Sequence, residues 1–237
     1  MNILKKIKKA MPFFLLNLIY KMKLLKYKKM TTEQVFREIK VKNKWGSQES
    51  ASGYGSEIRS TENLIMELPN LFRMNGIRSI LDIPCGDFNW MKKIDLSAFD
   101  YIGGDIVKEL ISENSERYSS NNIKFVTLNI ISDVLPPMDL IFVRDCFVHL
   151  SYSDIHCAIA NIKKSGCKYL MATTFEKTRV NYDIITGGWR PINLLDKPFN
   201  FPEPVYILAE NCTEGNGKYK DKSMGLWLIE DLPKSVS

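Results

Sequence analysis

Paired cysteines are missing from this chain. Its five cysteines (Cys85, Cys146, Cys157, Cys167 and Cys212) are an odd number and form no Cys-x-x-Cys. Neither a disulfide framework nor a metal site is expected, and a reducing, cytoplasmic compartment fits that usage. Acids are missing from residues 1–30, which carry nine lysines. Long apolar runs are missing too: the apolar core at residues 11–20 is too short to span a bilayer, which takes about 20 residues. No small-residue cleavage site follows it, so it does not read as a secretory signal. The body contains no repeat, no low-complexity linker, and no Gly-x-Gly-x-x-Gly.

The net charge of +6 belongs to the head, because the remaining residues hold 24 basic against 27 acidic side chains, a net of −3. A mildly acidic body lacks a basic face interleaved with aromatics, so no nucleic-acid partner is expected. Residues 1–30 form a lysine-rich amphipathic segment. Its lysines suit anionic headgroups and Phe13, Phe14, Leu15, Leu16, Leu18 and Ile19 suit the acyl boundary, which gives peripheral contact with the inner face of a membrane as one reading. Packing on the domain, or on a second copy to form a homodimer, is the other. Residues 31–237 form one domain; the chain's 45% hydrophobic content supplies a substantial core.

The capping-box spacing of Thr31 and Gln34, followed by Val35, Phe36 and Ile39, predicts a first helix. Residues 43–56 are a Gly/Ser-rich loop with two aromatics. A helix over 60–75 turns Leu64, Ile65, Leu68, Leu71 and Phe72 inward, with Pro69 expected to kink or split it. Apolar strands then alternate with helices: strands over 79–83, 101–104, 123–128, 140–143 and 169–174, a short helix near Asn89, and helices over 107–118 and 152–164. In the last of these Ile155, Ala158, Ile159 and Ile162 fall at i, i+3, i+4 and i+7. The alternation predicts an α/β fold, a Rossmann-like, doubly wound, mostly parallel sheet. Residues 205–209 and 225–229 are expected to close it as an antiparallel hairpin.

Ligands of such folds bind beyond the carboxyl ends of the strands, and each predicted strand ends in polar residues. The first runs into "ILDIPCGDFNW" (residues 80–90), a turn with one glycine, Gly86, and two acids, Asp82 and Asp87. A dinucleotide turn brings its backbone close to a pyrophosphate and has no use for added carboxylates, which argues against a nicotinamide dehydrogenase. Two carboxylates suit a cationic ligand. Asp105, 23 positions after Asp82, stands where an acid accepts hydrogen bonds from ribose hydroxyls. A nucleoside with a positive charge describes S-adenosylmethionine.

On these residues the chain resembles the class I S-adenosylmethionine-dependent methyltransferases over nearly all of residues 31–232. "LDIPCGDFNW" is similar to their first motif, "YIGGDIV" to the second, "LNI" (residues 128–130) to the adenine-contacting position, and "DLIFVRDCFVHLS" to the fourth strand and its loop. More narrowly it resembles a bacterial group linked to surface-polysaccharide gene clusters, carrying "KWGSQES", "RDCFVHL", "GGWRPINL" and "KSMGLW". Pro84 and Phe88 replace two glycines of the general pattern, and Asn129 stands where many members have Asp. The resemblance implies cofactor contacts from Asp82, Cys85, Gly86, Asp87, Asp105, Ile106, Asn129, Ile130 and Asp145. The amide oxygen of Asn129 can accept from the adenine amino group as a carboxylate would, and Cys85 reads as a small filler of the turn rather than a nucleophile.

Methyl transfer from a sulfonium needs placement more than covalent help, and a hydroxyl acceptor gains from a base. His149, four residues after Asp145, is the expected base; capping a loop carbonyl is its structural alternative. Asp145 would orient His149 or hold the methionine end. Arg144 would hold an anionic acceptor, or pair with Asp145. Tyr54, Trp189 and Arg190 lie in loops expected to roof the acceptor, as do Trp45 and Trp90. The resemblance implies O-methylation of a capsule or lipopolysaccharide sugar, a phosphate-derived substituent or a nucleotide-activated precursor. A methyltransferase-like scaffold or membrane-docking module without catalysis is the competing reading.

Overall fold

Short apolar runs that give way to polar residues set the strands. In the computed structural model, which describes residue 22 and residues 25–177 and 180–233, these are β1 (Ser79–Asp82), β2 (Asp100–Asp105), β3 (Ile123–Thr127), β4 (Leu140–Val143) and β5 (Tyr169–Phe175). β6 (Tyr206–Ala209) and β7 (Lys222–Leu228) complete one seven-stranded sheet in the order β3-β2-β1-β4-β5-β7-β6. The first five strands are parallel, and β7 is antiparallel to both β5 and β6. The sheet and its late hairpin are those expected from the alternation of periods. Lysine-rich residues 1–21 lie outside the described residues. No helix among the described residues is long and apolar enough to cross a membrane.

Alternation within the central strands divides the core between two faces. Leu81, Ile141, Val143, Leu170 and Ala172 pack with helix α4 (Tyr152–Lys164) on one face. Ile80, Leu140, Phe142 and Met171 pack with helix α2 (Ile58–Met74) on the other. All four side chains of β4 are therefore buried, as in a strand covered on both sides. Helix α3 (Lys108–Tyr118) lies along β2 and β3.

Helix α1 (Thr32–Val41) begins with the expected capping box: Gln34 N–H donates to Thr31 Oγ1 at 3.2 Å and Thr31 N–H to Gln34 Oε1 at 2.9 Å. α2 starts two residues earlier than expected and runs unbroken through Pro69. Burial of Leu64, Leu68, Leu71 and Phe72 outweighs one missing backbone bond, which at Pro costs about 3 kcal/mol. The helix near Asn89 is a single 3-10 turn, Met91–Lys93. β7 starts at Lys222, three residues before the apolar run that predicted it, because Lys222 and Ser223 are buried polar residues paired to Phe175 and Thr174 of β5.

Gly225 in β7 sits under the ring of Trp227, which a Cβ there would overlap. Gly225→Ala is expected to destabilise by about 1–3 kcal/mol, the usual cost of overpacking. Urea unfolding would show it as a lowered midpoint at unchanged slope.

Candidate active site

The carboxyl ends of β1, β2 and β4 open into a cavity of about 1060 Å³ of empty space, part of it solvent-facing. Asp82, Cys85, Gly86, Asp87, Asp105, Ile106, Asn129, Ile130, Arg144, Asp145 and His149 all line it. The turn after β1 is built by two left-handed residues, Gly86 and Phe88, each at φ 57°. At Gly86 a side chain would sit on a left-handed backbone and its Cβ would overlap Ser52 Oγ, which would have to move. Phe88 keeps its side chain because the ring enters an aromatic cluster, 5.3 Å from Tyr101 and 5.1 Å from Phe125.

Burial dominates the acids here. Asp82 is 3% exposed, accepts from Tyr101 Oη–H at 2.6 Å, and its pKa is pushed up to about 7. Asp105 accepts backbone N–H from Val107 at 2.8 Å and from Gly86 at 3.1 Å, which limits the rise to about 6. Burial likewise raises the Cys85 thiol well above its ordinary value, as a filler rather than a nucleophile requires. Asp87, expected to face the cofactor, is otherwise engaged: its oxygens accept from Ser50 Oγ–H at 2.9 Å and Ala51 N–H at 2.7 Å. It ties the Gly/Ser-rich loop over the cavity as a roof. Glu49 of that loop accepts from Ile58 N–H, at the start of α2, and from Asn89, each at 2.8 Å. Asn129 Oδ1, expected to face adenine, already accepts Ile131 N–H at 2.9 Å.

Beside this cavity lies a second, lined by Trp45, Tyr54, Phe175, Trp189, Tyr219, Cys212 and Glu214 among others. Ser52, Trp45, Asp145 and His149 line both. His149 Nδ1 is 2.7 Å from the carbonyl of Gly188, which can only accept, so the proton is on Nδ1 and Nε2 carries the free lone pair. Burial lowers the His149 pKa, partly opposed by that carbonyl, so the ring is neutral near pH 7. The Trp45 ring flanks it at 5.1 Å. Gly188, not Asp145, therefore sets the tautomer. His156 packs against Phe199 instead.

Asp145, at φ 52°, belongs to a buried charge network. Its Oδ2 lies 2.6 Å from Lys222 Nζ and 3.5 Å from Arg144 Nη1, and these cations hold its pKa at about 2 against burial. Arg144, expected to hold an anionic acceptor, instead donates to Glu210 at 2.6 Å and to the Gly55 carbonyl at 2.7 Å. Arg190 is likewise not an acceptor ligand: fully buried, it donates to the carbonyls of Tyr182, Phe147 and Leu150 and fixes the His149 loop. Tyr54 and Trp189 do line the second cavity. Glu210, Glu214, Tyr219 and Lys222 went unselected; charged residues bordering apolar runs were the available signal.

No family model and no curated protein matches the chain. Among solved structures, it is similar to N-methyltransferase NodS from Bradyrhizobium japonicum WM9 in complex with S-adenosyl-L-homocysteine. That likeness has a TM-score of 0.57 and 15% identity over 86% of this chain and 99% of that one. The methyltransferase domain of bacterial CtHen1-CN is similar at TM-score 0.51 and 10% identity, over 73% of this chain and 100% of that one. The magnesium protoporphyrin IX methyltransferase from Synechocystis PCC 6803 gives a TM-score of 0.43 at 14% identity over 52% of this chain, which spans 59% of that protein's length. The fold is that of class I methyltransferases.

The raised Asp82 pKa makes a signed prediction. A carboxyl whose folded pKa lies above its unfolded value stabilises below the unfolded value and loses that contribution as pH rises through the folded one. Wild type should therefore lose stability relative to Asp82→Asn between about pH 4 and about pH 7. Paired thermal unfolding curves across that window would test it; parallel curves would refute it.

Proposed function

We propose that the protein methylates a hydroxyl of a small sugar-type acceptor, using S-adenosylmethionine. The acceptor would be a surface-polysaccharide sugar, a phosphate-derived substituent of one, or its nucleotide-activated precursor. The observation that carries this reading is the meeting of two unlike cavities at His149 and Asp145. One is framed by carboxylates, the other by aromatic rings. The bound S-adenosyl-L-homocysteine of NodS, with its similar fold, supports the cofactor.

The residues fit such a nucleoside. Gly86 leaves backbone rather than side chain at the turn, and Asp105 is an acceptor for ribose hydroxyls at the end of β2. Ile106 and Ile130 offer apolar contact beside Asn129 for an adenine ring. Asp82 adds negative potential where a sulfonium would lie. When bound, S-adenosylmethionine supplies an electrophilic methyl group on that sulfonium. The chain's own residues do the rest. Trp189 and Tyr219, with centroids 4.9 Å apart, present ring faces and edges to a sugar. His149 Nε2 accepts the hydroxyl proton, while the Gly188 carbonyl holds Nδ1–H and stabilises the imidazolium that forms. The roof formed by residues 43–56 excludes water from the transfer.

Calorimetric titration of the full chain with S-adenosylhomocysteine should give a micromolar Kd, about −8 kcal/mol. Binding should strengthen as pH rises through about 6, since hydroxyl donors favour the ionised Asp105. Asp105→Ala should lose most of the affinity together with that pH dependence. No binding by folded wild-type protein would remove the cofactor from the reading. His149→Ala should lower kcat by about 10²–10⁴ with S-adenosylhomocysteine affinity kept; unchanged kcat would exclude it as the base.

A further inference from the structure

The second cavity carries a charge that its own walls only partly compensate. At its floor, Arg144 pairs with Glu210 and Lys222 with Asp145, each at 2.6 Å, so two cations are matched by two carboxylates. A third carboxylate, Glu214, opens a 3-10 turn (Glu214–Gly217) and also lines the cavity. Its backbone meets the Cys212 thiol, but no hydrogen bond or close ion pair reaches its carboxylate among the described residues, and the field of Lys222 and Arg144 only partly answers its charge. It is only half-exposed: a Cβ at Gly55 would lie 3.5 Å from Glu214 Oε1, against 3.3 Å from Asp145 Oδ2 and 3.7 Å from Lys222 Nζ. Burial raises its pKa, as expected of a carboxylate short of partners.

Around that negative charge stand the rings of Trp45, Tyr54, Phe175, Trp189 and Tyr219; Lys218 Nζ lies over one face of Tyr219 at 5.5 Å, and no such cation meets the other four among the described residues. The faces of aromatic rings are the negative ends of their quadrupoles and attract cations. An anionic acceptor would face Glu214 and Asp145, with both nearby cations already matched. A neutral sugar would give Glu214 hydroxyl donors but leave the charge unbalanced. A protonated amine answers both the carboxylate and the rings.

We propose that the acceptor is an amino sugar whose ammonium group is held by Glu214 while Trp189 and Tyr219 face its ring. This rests on reading the second cavity as the acceptor site, and it narrows the acceptor from sugars in general to those carrying a free amine. Glu214 is then a specificity-determining residue.

The test uses the full chain saturated with S-adenosylhomocysteine and two probes that differ only in an ammonium group replacing one hydroxyl. These are para-nitrophenyl β-glucosaminide and para-nitrophenyl β-glucoside, titrated at neutral pH, since acid would work against the ionised Glu214 as well as for the protonated amine. Wild type should bind the glucosaminide about tenfold more tightly than the glucoside, the scale of one partly buried ion pair. In Glu214→Gln, whose S-adenosylhomocysteine affinity serves as the folding control, the two should bind alike. Equal binding of both probes by wild type, no binding of the glucosaminide, or a preference that survives in Glu214→Gln would each overturn the proposal. A protein that fails to bind S-adenosylhomocysteine strikes the cofactor reading alone. The same two probes, titrated without it, then decide the amine question by the same ratio.

Discussion

The site is held together by four charges buried in contact: Arg144, Asp145, Glu210 and Lys222. Three of their side chains are 5% exposed or less. Taking such ions out of water costs several kcal/mol each, so the network adds little net stability, yet loss of one partner would cost about 3–5 kcal/mol. What the network determines is position. Arg144 and Asp145 follow β4, and Glu210 follows β6. Lys222 begins β7, whose reversed direction brings its first residue to the same sheet edge, opposite Phe175. Arg144 also reaches the carbonyl of Gly55 and lies over Trp90 at 5.3 Å. The late hairpin, the fourth strand and the roof are thereby registered on one another, and the second cavity forms where they meet.

The roof obeys a second constraint, close approach. Residues 43–56 read by composition as a Gly/Ser-rich loop, and their small side chains serve packing. Gly53, at φ 92°, lies against Trp45, and Ser52 fits only because residue 86 has no Cβ. Asp87 and Asn89, from the turn below, tie the loop down through Ser50, Ala51, Glu49 and the Ser56 carbonyl. Two sequence segments far apart in the chain thus form one structure, which then shapes both cavities.

This explains what the sequence disclosed and what it withheld. The sheet was legible because β4 is apolar throughout and β1 and β5 centre on apolar runs, while their helices repeat at 3.6 residues. The residues lining the first cavity were legible because topology alone carries the ends of β1, β2 and β4 to one edge. The partners of charged side chains were not. Nothing local in the sequence says that Arg144 meets Glu210, that Arg190 serves three carbonyls, or that Asp87 turns to the roof, since each pairing joins segments that only the tertiary fold brings together. β7 was cut short for the same reason: Lys222 and Ser223 look like a strand's polar flank until their buried partners are known. Phe88 at a left-handed position was equally hidden, because its strain of about 1–3 kcal/mol is offset by packing contributed from β2 and β3.

The carboxylates of the first cavity also weigh between ligands that the fold alone would admit, and support the proposed one. Asp82 and Asp105 are both raised, to about 7 and about 6, chiefly by burial. A pyrophosphate brought to this turn would add negative charge beside groups already resisting ionisation, and would raise them further. A sulfonium nucleoside does the reverse. In the proposed site its positive charge would favour the ionised Asp82, its ribose hydroxyls would favour the ionised Asp105, and each would remove part of the desolvation cost that the folded chain otherwise carries. The loss of two glycines from the turn has the same logic. A backbone that need not wrap a pyrophosphate can give one glycine position to Phe88, whose ring then anchors the turn to the sheet, and keep only Gly86, where the roof leaves no space.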